Sequence, residues 1–203
     1  MNRYLYLLMI FTLSSVAAAL MSDYSTAFYY MVPFTLVSLY LLAFFKQRVV
    51  FTVYVISLIP LLLFAPNGIE VFVIYLVAGV VGMLVFEYFN RGWLQFVTAF
   101  IVFIVMALVW LSFRLAEGID TLSEFPMIMY MAFGAFLSVA GYPLIYLFEK
   151  IFKLVSKSKL IDLSDTGNPL LRQLAEKAPG TFQHCLQVMN LADAAARAID
   201  ANV

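Results

Sequence analysis

Residues 92–113 read GWLQFVTAFIVFIVMALVWLSF and contain no Asp, Glu, Lys, Arg or His. A helix needs about 20 apolar residues to cross the hydrocarbon core of a bilayer. Because lipid offers no hydrogen-bond partners, a spanning segment must pair its own backbone groups, as a helix does. This stretch therefore predicts a membrane-spanning helix.

The same kind of segment recurs along most of the chain. Five more stretches lack charged side chains, at residues 4–22, 24–45, 49–69, 71–86 and 125–148. The stretch 71–86 is short and reaches full length only by including Glu70 and residues 87–89 at the interfaces. A β-barrel would instead show alternating segments of about 10 residues. We therefore predict an all-α, polytopic bundle of six transmembrane helices.

The overall composition also indicates a lipid bilayer as the main partner. Hydrophobic residues make up 65% of the chain and charged residues 12%, whereas about a quarter of a typical soluble protein is charged. Lys+Arg and Asp+Glu both number 12, so the net charge does not indicate binding to a nucleic acid polymer. The single cysteine, Cys185, excludes an internal disulfide and a Cys-rich zinc site.

The placement of the charges predicts the orientation. With the N-terminus in the cytoplasm, the inside segments hold Arg3, Lys46, Arg48, Arg91, Lys150, Lys153, Lys157 and Lys159. The outside loops then hold Arg114 and the acidic residues Asp23, Glu70, Glu117, Asp120 and Glu124. Cytoplasmic loops of membrane proteins carry an excess of Lys and Arg. Both termini are therefore predicted to be cytoplasmic.

The spans themselves are predicted to carry no charge. Pumps and proton-coupled transporters usually place charged residues at membrane depth, so this argues against a transporter component. Polar side chains in spans usually bond a carbonyl of their own helix or a neighbouring helix. This is expected for Ser14, Ser15, Thr35, Ser38, Ser57, Thr98, Ser112 and Ser138. Kinks are expected at Pro33, Pro60 and Pro143, and Gly134 with Ser138 predicts a close helix contact.

The composition changes after the last span. Residues 149–163 mix lysines with apolar side chains and predict a helix that continues out of the membrane near anionic head groups. A break follows at Ser164-Asp165-Thr166-Gly167. Asn168 and Pro169 then suit a helix start, Pro179-Gly180 suits its end, and Thr181 is expected to cap a helix over 182–199. About 36 residues cannot bury a core of their own, so they predict the beginning of a soluble domain.

His184 is the only histidine and lies at helical spacing with Val188, Leu191 and Ala195. Spacing alone favours a packed or capped residue. A position near a helix N-terminus disfavours the imidazolium form and keeps a nitrogen free for a metal. One ligand cannot hold a metal, however, since useful sites need three or more. Asp193 points away from the His184 face and is predicted to be solvated.

Residues 160–196 read LIDLSDTGNPLLRQLAEKAPGTFQHCLQVMNLADAAA. This run resembles a bacterial family, the seven-transmembrane receptors with an intracellular HD phosphohydrolase domain, which includes the PgpH-type cyclic di-AMP phosphodiesterases. The most specific segments are residues 163–165, 168–171, 178–181 and 190–192, together with His184. Val32-Pro33 and Pro143-Leu144 also look like family positions.

The resemblance implies a division into three regions. These are a transmembrane module at 1–148, a cytoplasmic linker helix at 149–167 and the first part of an HD domain at 168–203. It also implies that His184 is the first metal ligand of a site for two divalent ions, Mn or Fe, whose other ligands lie beyond Val203. The complete protein would be a multi-pass protein of the bacterial cell membrane that hydrolyses a cyclic dinucleotide, whereas this segment alone would be inactive. The resemblance leaves a homo-oligomer open.

Two alternatives to such a hydrolase remain at this level. The chain is a complete, non-catalytic membrane anchor or sensor, or it is a component of a transporter. A His-Asp pair encoded after Val203 would favour the hydrolase.

Overall fold

The computed structural model describes residues 2–22, 26–86, 88–89, 94–118, 125–156, 159–160 and 167–199. Within these ranges the secondary structure is helical and contains no strand. The predicted all-α class is therefore confirmed. The chain divides into two compact units, Met1–Ser156 and Lys157–Val203. The predicted break at Ser164-Asp165-Thr166 and the charges at Asp23, Arg91, Asp120, Glu124 and Lys157 lie outside the described residues.

The first unit is a bundle of helices that pack both on their neighbours along the chain and on helices more distant in sequence. Its α-helices are α1 Asn2–Leu20, α2 Thr26–Met31, α3 Thr35–Phe44, α4 Gln47–Phe64, α5 Gly68–Phe86, α6 Gln95–Glu117, α7 Phe125–Ala140 and α8 Ile145–Phe152. Among the described residues, six segments are long and apolar enough to cross a membrane, which confirms the six predicted spans. The short fourth span reaches its length by including Gly68, Ile69 and Glu70 at its start.

Pro33 divides the second span into α2 and α3. Proline has no N–H, so the carbonyl of Tyr29, four residues earlier, loses its normal helical partner. The Tyr75 hydroxyl of α5 replaces that partner, with 2.6 Å to the Tyr29 carbonyl oxygen and 2.8 Å to that of Val32. A buried tyrosine on another helix thus satisfies the backbone that the break exposes, as a lipid environment requires.

Pro143 divides the sixth span in a similar way. The 3₁₀ turn Tyr142–Leu144 separates α7 from α8, and the Tyr40 hydroxyl of α3 donates to the Gly141 carbonyl oxygen at 2.7 Å. Pro60, by contrast, lies inside α4 without dividing it. Of the three prolines expected to kink a span, two therefore interrupt it. At each of these breaks, a tyrosine of a different helix donates a hydrogen bond to a backbone carbonyl.

The expected close contact at Gly134 and Ser138 is present. A Cβ atom at Gly134 would overlap the Tyr30 carbonyl oxygen of α2. One turn later, the Ser138 hydroxyl hydrogen-bonds Thr35 of α3 and also donates to the Gly134 carbonyl oxygen at 3.0 Å. The small side chains therefore let α7 approach the broken second span closely.

Most polar residues of the spans bond their own helix, as expected. The side chains that donate to a carbonyl three or four residues earlier are Ser14, Ser15, Ser38, Ser57, Ser112 and Ser138. Thr98 is an exception, because its buried hydroxyl has no hydrogen-bond partner among the described residues. The expectation is therefore wrong for Thr98.

The predicted continuation of the last span through residues 149–163 is wrong. Helix α8 ends at Phe152, and Lys153 adopts a left-handed conformation with φ 51° and ψ 39°. The Glu149 carboxylate accepts the Ser156 backbone N–H at 2.9 Å, and Phe152 and Leu154 pack against the bundle core. The chain turns because these contacts bury apolar side chains that a straight helix would carry away from the bundle.

The second unit contains α9, Pro169–Lys177, and α10, Pro179–Ala198. The expected cap is present at Asn168, whose side-chain oxygen accepts the Leu170 N–H at 3.0 Å. The expected Thr181 cap is wrong, because α10 begins two residues earlier, at Pro179, which suits the first helical position. Neither helix has a buried residue, in agreement with a segment too small to form its own core.

Candidate functional site

A buried ion pair lies at one end of the bundle. The Arg114 guanidinium, at the end of α6, contacts the Glu70 carboxylate in the first turn of α5. The Tyr30 hydroxyl donates to the other Glu70 oxygen at 2.8 Å. Asn67 donates to Glu70 at 3.4 Å, and a second Arg114 nitrogen bonds Glu117 at 3.0 Å. The cluster therefore joins the second, fourth and fifth spans through one carboxylate.

The helix ends favour these two charges. The N-terminus of a helix carries partial positive charge and stabilises an acid, as at Glu70, whereas the C-terminus stabilises a base, as at Arg114. Gly118, in a left-handed conformation with φ 68°, ends α6 just after Arg114. Both side chains are almost fully buried, at 5% and 6% exposure. A buried charge of this kind requires its partner to remain in place.

This cluster corrects the prediction that the spans hold no buried charge. The sequence pattern places Glu70 and Arg114 in outside loops and Glu149 at the start of the linker, yet all three are buried within helices. The sequence signal for the ion pair is one acid and one base at the same end of consecutive spans. This signal is weak because both residues flank charge-free stretches and so resemble loop residues.

Trp110 lies next to the ion pair. The Arg114 guanidinium carbon is 5.8 Å from the centre of the indole ring, within cation–π distance. The indole is 1% exposed, and its N–H has no hydrogen-bond partner among the described residues. Trp110 thus covers the guanidinium with an apolar surface and helps to keep water from the ion pair.

The described residues do not form a metal site around His184. His184 lies in the second turn of α10, because that helix begins at Pro179, and its side chain is exposed, as is that of Cys185. No group of three or more His, Cys, Asp or Glu side chains converges within the described part of the chain. One exposed imidazole cannot hold a divalent ion, so its role as a ligand stays a prediction.

Asp193 lies two turns further along α10 and is bound by Arg197. The Arg197 guanidinium makes two hydrogen bonds to the Asp193 carboxylate, of 2.8 and 3.2 Å. The bonded carboxylate raises the pKa of Arg197 above its usual value. The Asp193 side chain is 39% exposed, so it is partly solvated, as predicted, but it is also paired.

The sequence of the bundle matches a known family of membrane proteins. The family described as "7TM receptor with intracellular HD hydrolase" matches residues 1–156. Because the match covers most of the chain and the whole bundle, the chain belongs to this family of membrane receptors with an intracellular HD hydrolase.

Individual relatives point to the same class. The "Cyclic-di-AMP phosphodiesterase PgpH" of Listeria monocytogenes is 32% identical over 143 residues, which are 68% of this chain and 19% of the relative. The protein of the same name from Bacillus subtilis is 35% identical over 136 residues, or 63% of this chain and 18% of the relative. An uncharacterized Synechocystis protein is 49% identical over 55 residues, 27% of this chain and 7% of that protein.

The chain spans less than a fifth of the length of each of these relatives. No solved structure matches it.

Proposed function

We propose that this chain is the membrane-embedded regulatory module, with the adjoining start of the catalytic domain, of a metal-dependent phosphodiesterase that hydrolyses cyclic di-AMP. The observation that carries the proposal is the family match over residues 1–156 together with two PgpH relatives at 32% and 35% identity. Both PgpH relatives are named for this activity.

The proposed role of His184 is to contribute one ligand to a site for Mn or Fe ions. The exposed imidazole of His184 on α10 can share a metal ion with side chains from other parts of a longer protein. The other metal ligands must come from residues outside the described ranges. Within those ranges, no group of three or more His, Cys, Asp or Glu side chains could hold a metal ion. The product from cyclic di-AMP would be the linear dinucleotide.

The proposed orientation places both termini in the cytoplasm. The basic residues at the α1, α4 and α8 end of the bundle are exposed, and they are Arg3, Lys46, Arg48, Lys150 and Lys153. At the opposite end, Arg114 is buried and paired with acids. This asymmetry supports the positive-inside orientation, which delivers the second unit to the side where a cytoplasmic substrate is found.

The test is hydrolysis of cyclic di-AMP by membranes that contain the full reading frame, with added Mn²⁺ and chromatographic detection of the linear product. We expect His184→Ala to lower the rate by about 100-fold or more, since even outer-shell partners of metal ligands typically contribute about 10- to 100-fold. Cys185→Ser is the matched control, because it changes the neighbouring exposed side chain. Full activity in His184→Ala would contradict the proposed ligand role.

A non-catalytic membrane anchor is the second candidate. The lack of a converging metal-binding group among the described residues is compatible with it. The same assay separates the two, because an anchor would give no linear product with any variant. Failure of the wild-type membranes to hydrolyse cyclic di-AMP would favour the anchor.

A further inference from the structure

The point where the chain leaves the membrane bundle has an unusual geometry. Lys153 is the one non-glycine residue with positive φ among the described residues. Left-handed backbone is unfavourable for residues with a side chain, so it persists only where surrounding contacts hold it. At this position α8 ends and the chain leaves the helical path.

A hydrogen bond between two buried residues, Glu149 and Ser156, stabilises the turn at Lys153. The Glu149 side chain is 7% exposed and Ser156 is 1% exposed. The Glu149 carboxylate accepts the Ser156 N–H across the turn at 2.9 Å. A buried carboxylate is costly to desolvate unless it is hydrogen-bonded, so this bond links the last turn of α8 to the chain that follows.

The turn is also connected to the first helix. Tyr6 of α1 is fully buried, and its ring packs edge-on against Phe152 at 5.4 Å and Phe148 at 5.8 Å between ring centres. The Tyr6 hydroxyl donates to the Tyr40 carbonyl oxygen of α3 at 3.1 Å. Phe152 is the residue immediately before Lys153, so α1 is in contact with the start of the turn.

We propose that Glu149, Phe152, Lys153 and Ser156, together with Tyr6, form an exit clasp that couples the position of α1 to the segment leaving the bundle. The clasp replaces the continuous signalling helix that the sequence suggests. Packed side chains transmit displacement efficiently because protein interiors are dense and rearrange between discrete states. As a regulatory element the clasp rests on the proposed function, whereas its geometry can be tested without it.

Hydrogen exchange in the purified protein in lipid nanodiscs tests the geometry. We expect Glu149→Ala to raise the exchange rate of the Ser156 amide by roughly tenfold or more, because its acceptor is lost. Glu149→Gln keeps an acceptor oxygen and should retain most of the protection. Glu176→Ala, an exposed change on α9, is the control. Equal exchange at Ser156 in all three variants would overturn the clasp.

A second exchange experiment tests the link to α1. Tyr6→Ala removes the ring that packs on Phe152 and is expected to accelerate exchange at residues 153–156. Leu8→Ala, on the same helix but 62% exposed, should leave these residues unchanged. Tyr6→Phe keeps the ring and should resemble the wild type at the turn. Unchanged exchange at the turn in Tyr6→Ala would overturn the proposed coupling between α1 and residues 153–156.

Hydrolysis by the full-length protein then tests the regulatory role. If α1 acts through the clasp, Tyr6→Ala changes the rate of cyclic di-AMP hydrolysis in the wild-type background but not in the Glu149→Ala background. Effects of the two substitutions that simply multiply would contradict this, because independent sites are additive in free energy. A wild-type protein without hydrolysis would remove the proposed function, while the exchange measurements would still decide whether the clasp exists.

Discussion

Arg114 shows at the scale of a single residue how strongly the bundle depends on a buried charge. Its removal leaves the Glu70 carboxylate buried without a cationic partner. Breaking one partner of a buried ion pair typically costs about 3–5 kcal/mol, because the remaining charge is uncompensated. The pair therefore contributes chiefly by fixing which helices meet at this end.

We expect Arg114→Ala to lower the free energy of unfolding by about 3–5 kcal/mol, measured by thermal or denaturant unfolding in detergent. Glu117→Ala is the control. The Glu117 side chain is 48% exposed, and exposed pairs contribute at most about 1 kcal/mol. Equal destabilisation by the two variants would show that the Glu70–Arg114 pair is not the buried contact described above.

Gly134 is a second residue on which helix packing depends, because it has no side chain. A Cβ atom would meet the Tyr30 backbone, which cannot move aside as a side-chain tip could. We expect Gly134→Ala to destabilise the bundle by about 1–3 kcal/mol, the usual cost of overpacking. Gly180→Ala in α10 is the matched helical control, since nothing lies within 4 Å of its added carbon. Thermal unfolding in detergent distinguishes the two, and a stabilised Gly134→Ala would refute the close approach.

At the scale of elements, the divided second span depends on α5. The Tyr75 hydroxyl donates to the Tyr29 carbonyl, which the break deprives of its helical N–H, and also lies within hydrogen-bond distance of the Val32 carbonyl. Helices α2 and α3 can therefore remain separate inside a lipid environment only while α5 is packed against them. The fold of one span is determined in this way by a residue more than 40 positions later.

Tyr75→Phe removes this donor and keeps the ring. We expect it to lower the free energy of unfolding in detergent by about 1–3 kcal/mol, the cost of leaving a buried acceptor unsatisfied. Tyr88→Phe makes the same chemical change at a side chain that is 81% exposed, so little effect is expected there. A Tyr75→Phe protein as stable as Tyr88→Phe would mean that water or another group can satisfy the break.

At the scale of the whole molecule, the orientation of the bundle decides where the second unit functions. Cys185 is the sole cysteine and is exposed. The proposed orientation has the basic end of the bundle in the cytoplasm. We therefore expect a membrane-impermeant maleimide to label Cys185 in permeabilised spheroplasts and not in intact ones.

The matched control moves the cysteine to the other end. Ser22 is exposed just after α1, and Ser22→Cys in a Cys185→Ser background should be labelled in intact spheroplasts. Labelling of Cys185 in intact spheroplasts would show that the topology is the reverse of the proposed one. It would also exclude a cytoplasmic hydrolase. The two single-cysteine proteins together decide the orientation from both sides of the membrane.

Six spans, with kinks at Pro33, Pro60 and Pro143, are predictable from the sequence alone, and two of these prolines, Pro33 and Pro143, interrupt their spans. They are predictable because hydrophobic length and the missing proline N–H are local properties of the chain. The resemblance to receptors with an HD hydrolase also came from contiguous residues, and the family match confirmed it.

The buried contact between Glu70 and Arg114, 44 residues apart, and the end of α8 at Phe152 follow from the packing of the folded chain. The local sequence around Lys153 favours a continuing helix. The left-handed turn occurs because Tyr6 and Glu149, from α1 and α8, hold the chain against the bundle. Such contacts depend on how distant helices pack, and no pattern within one segment records them.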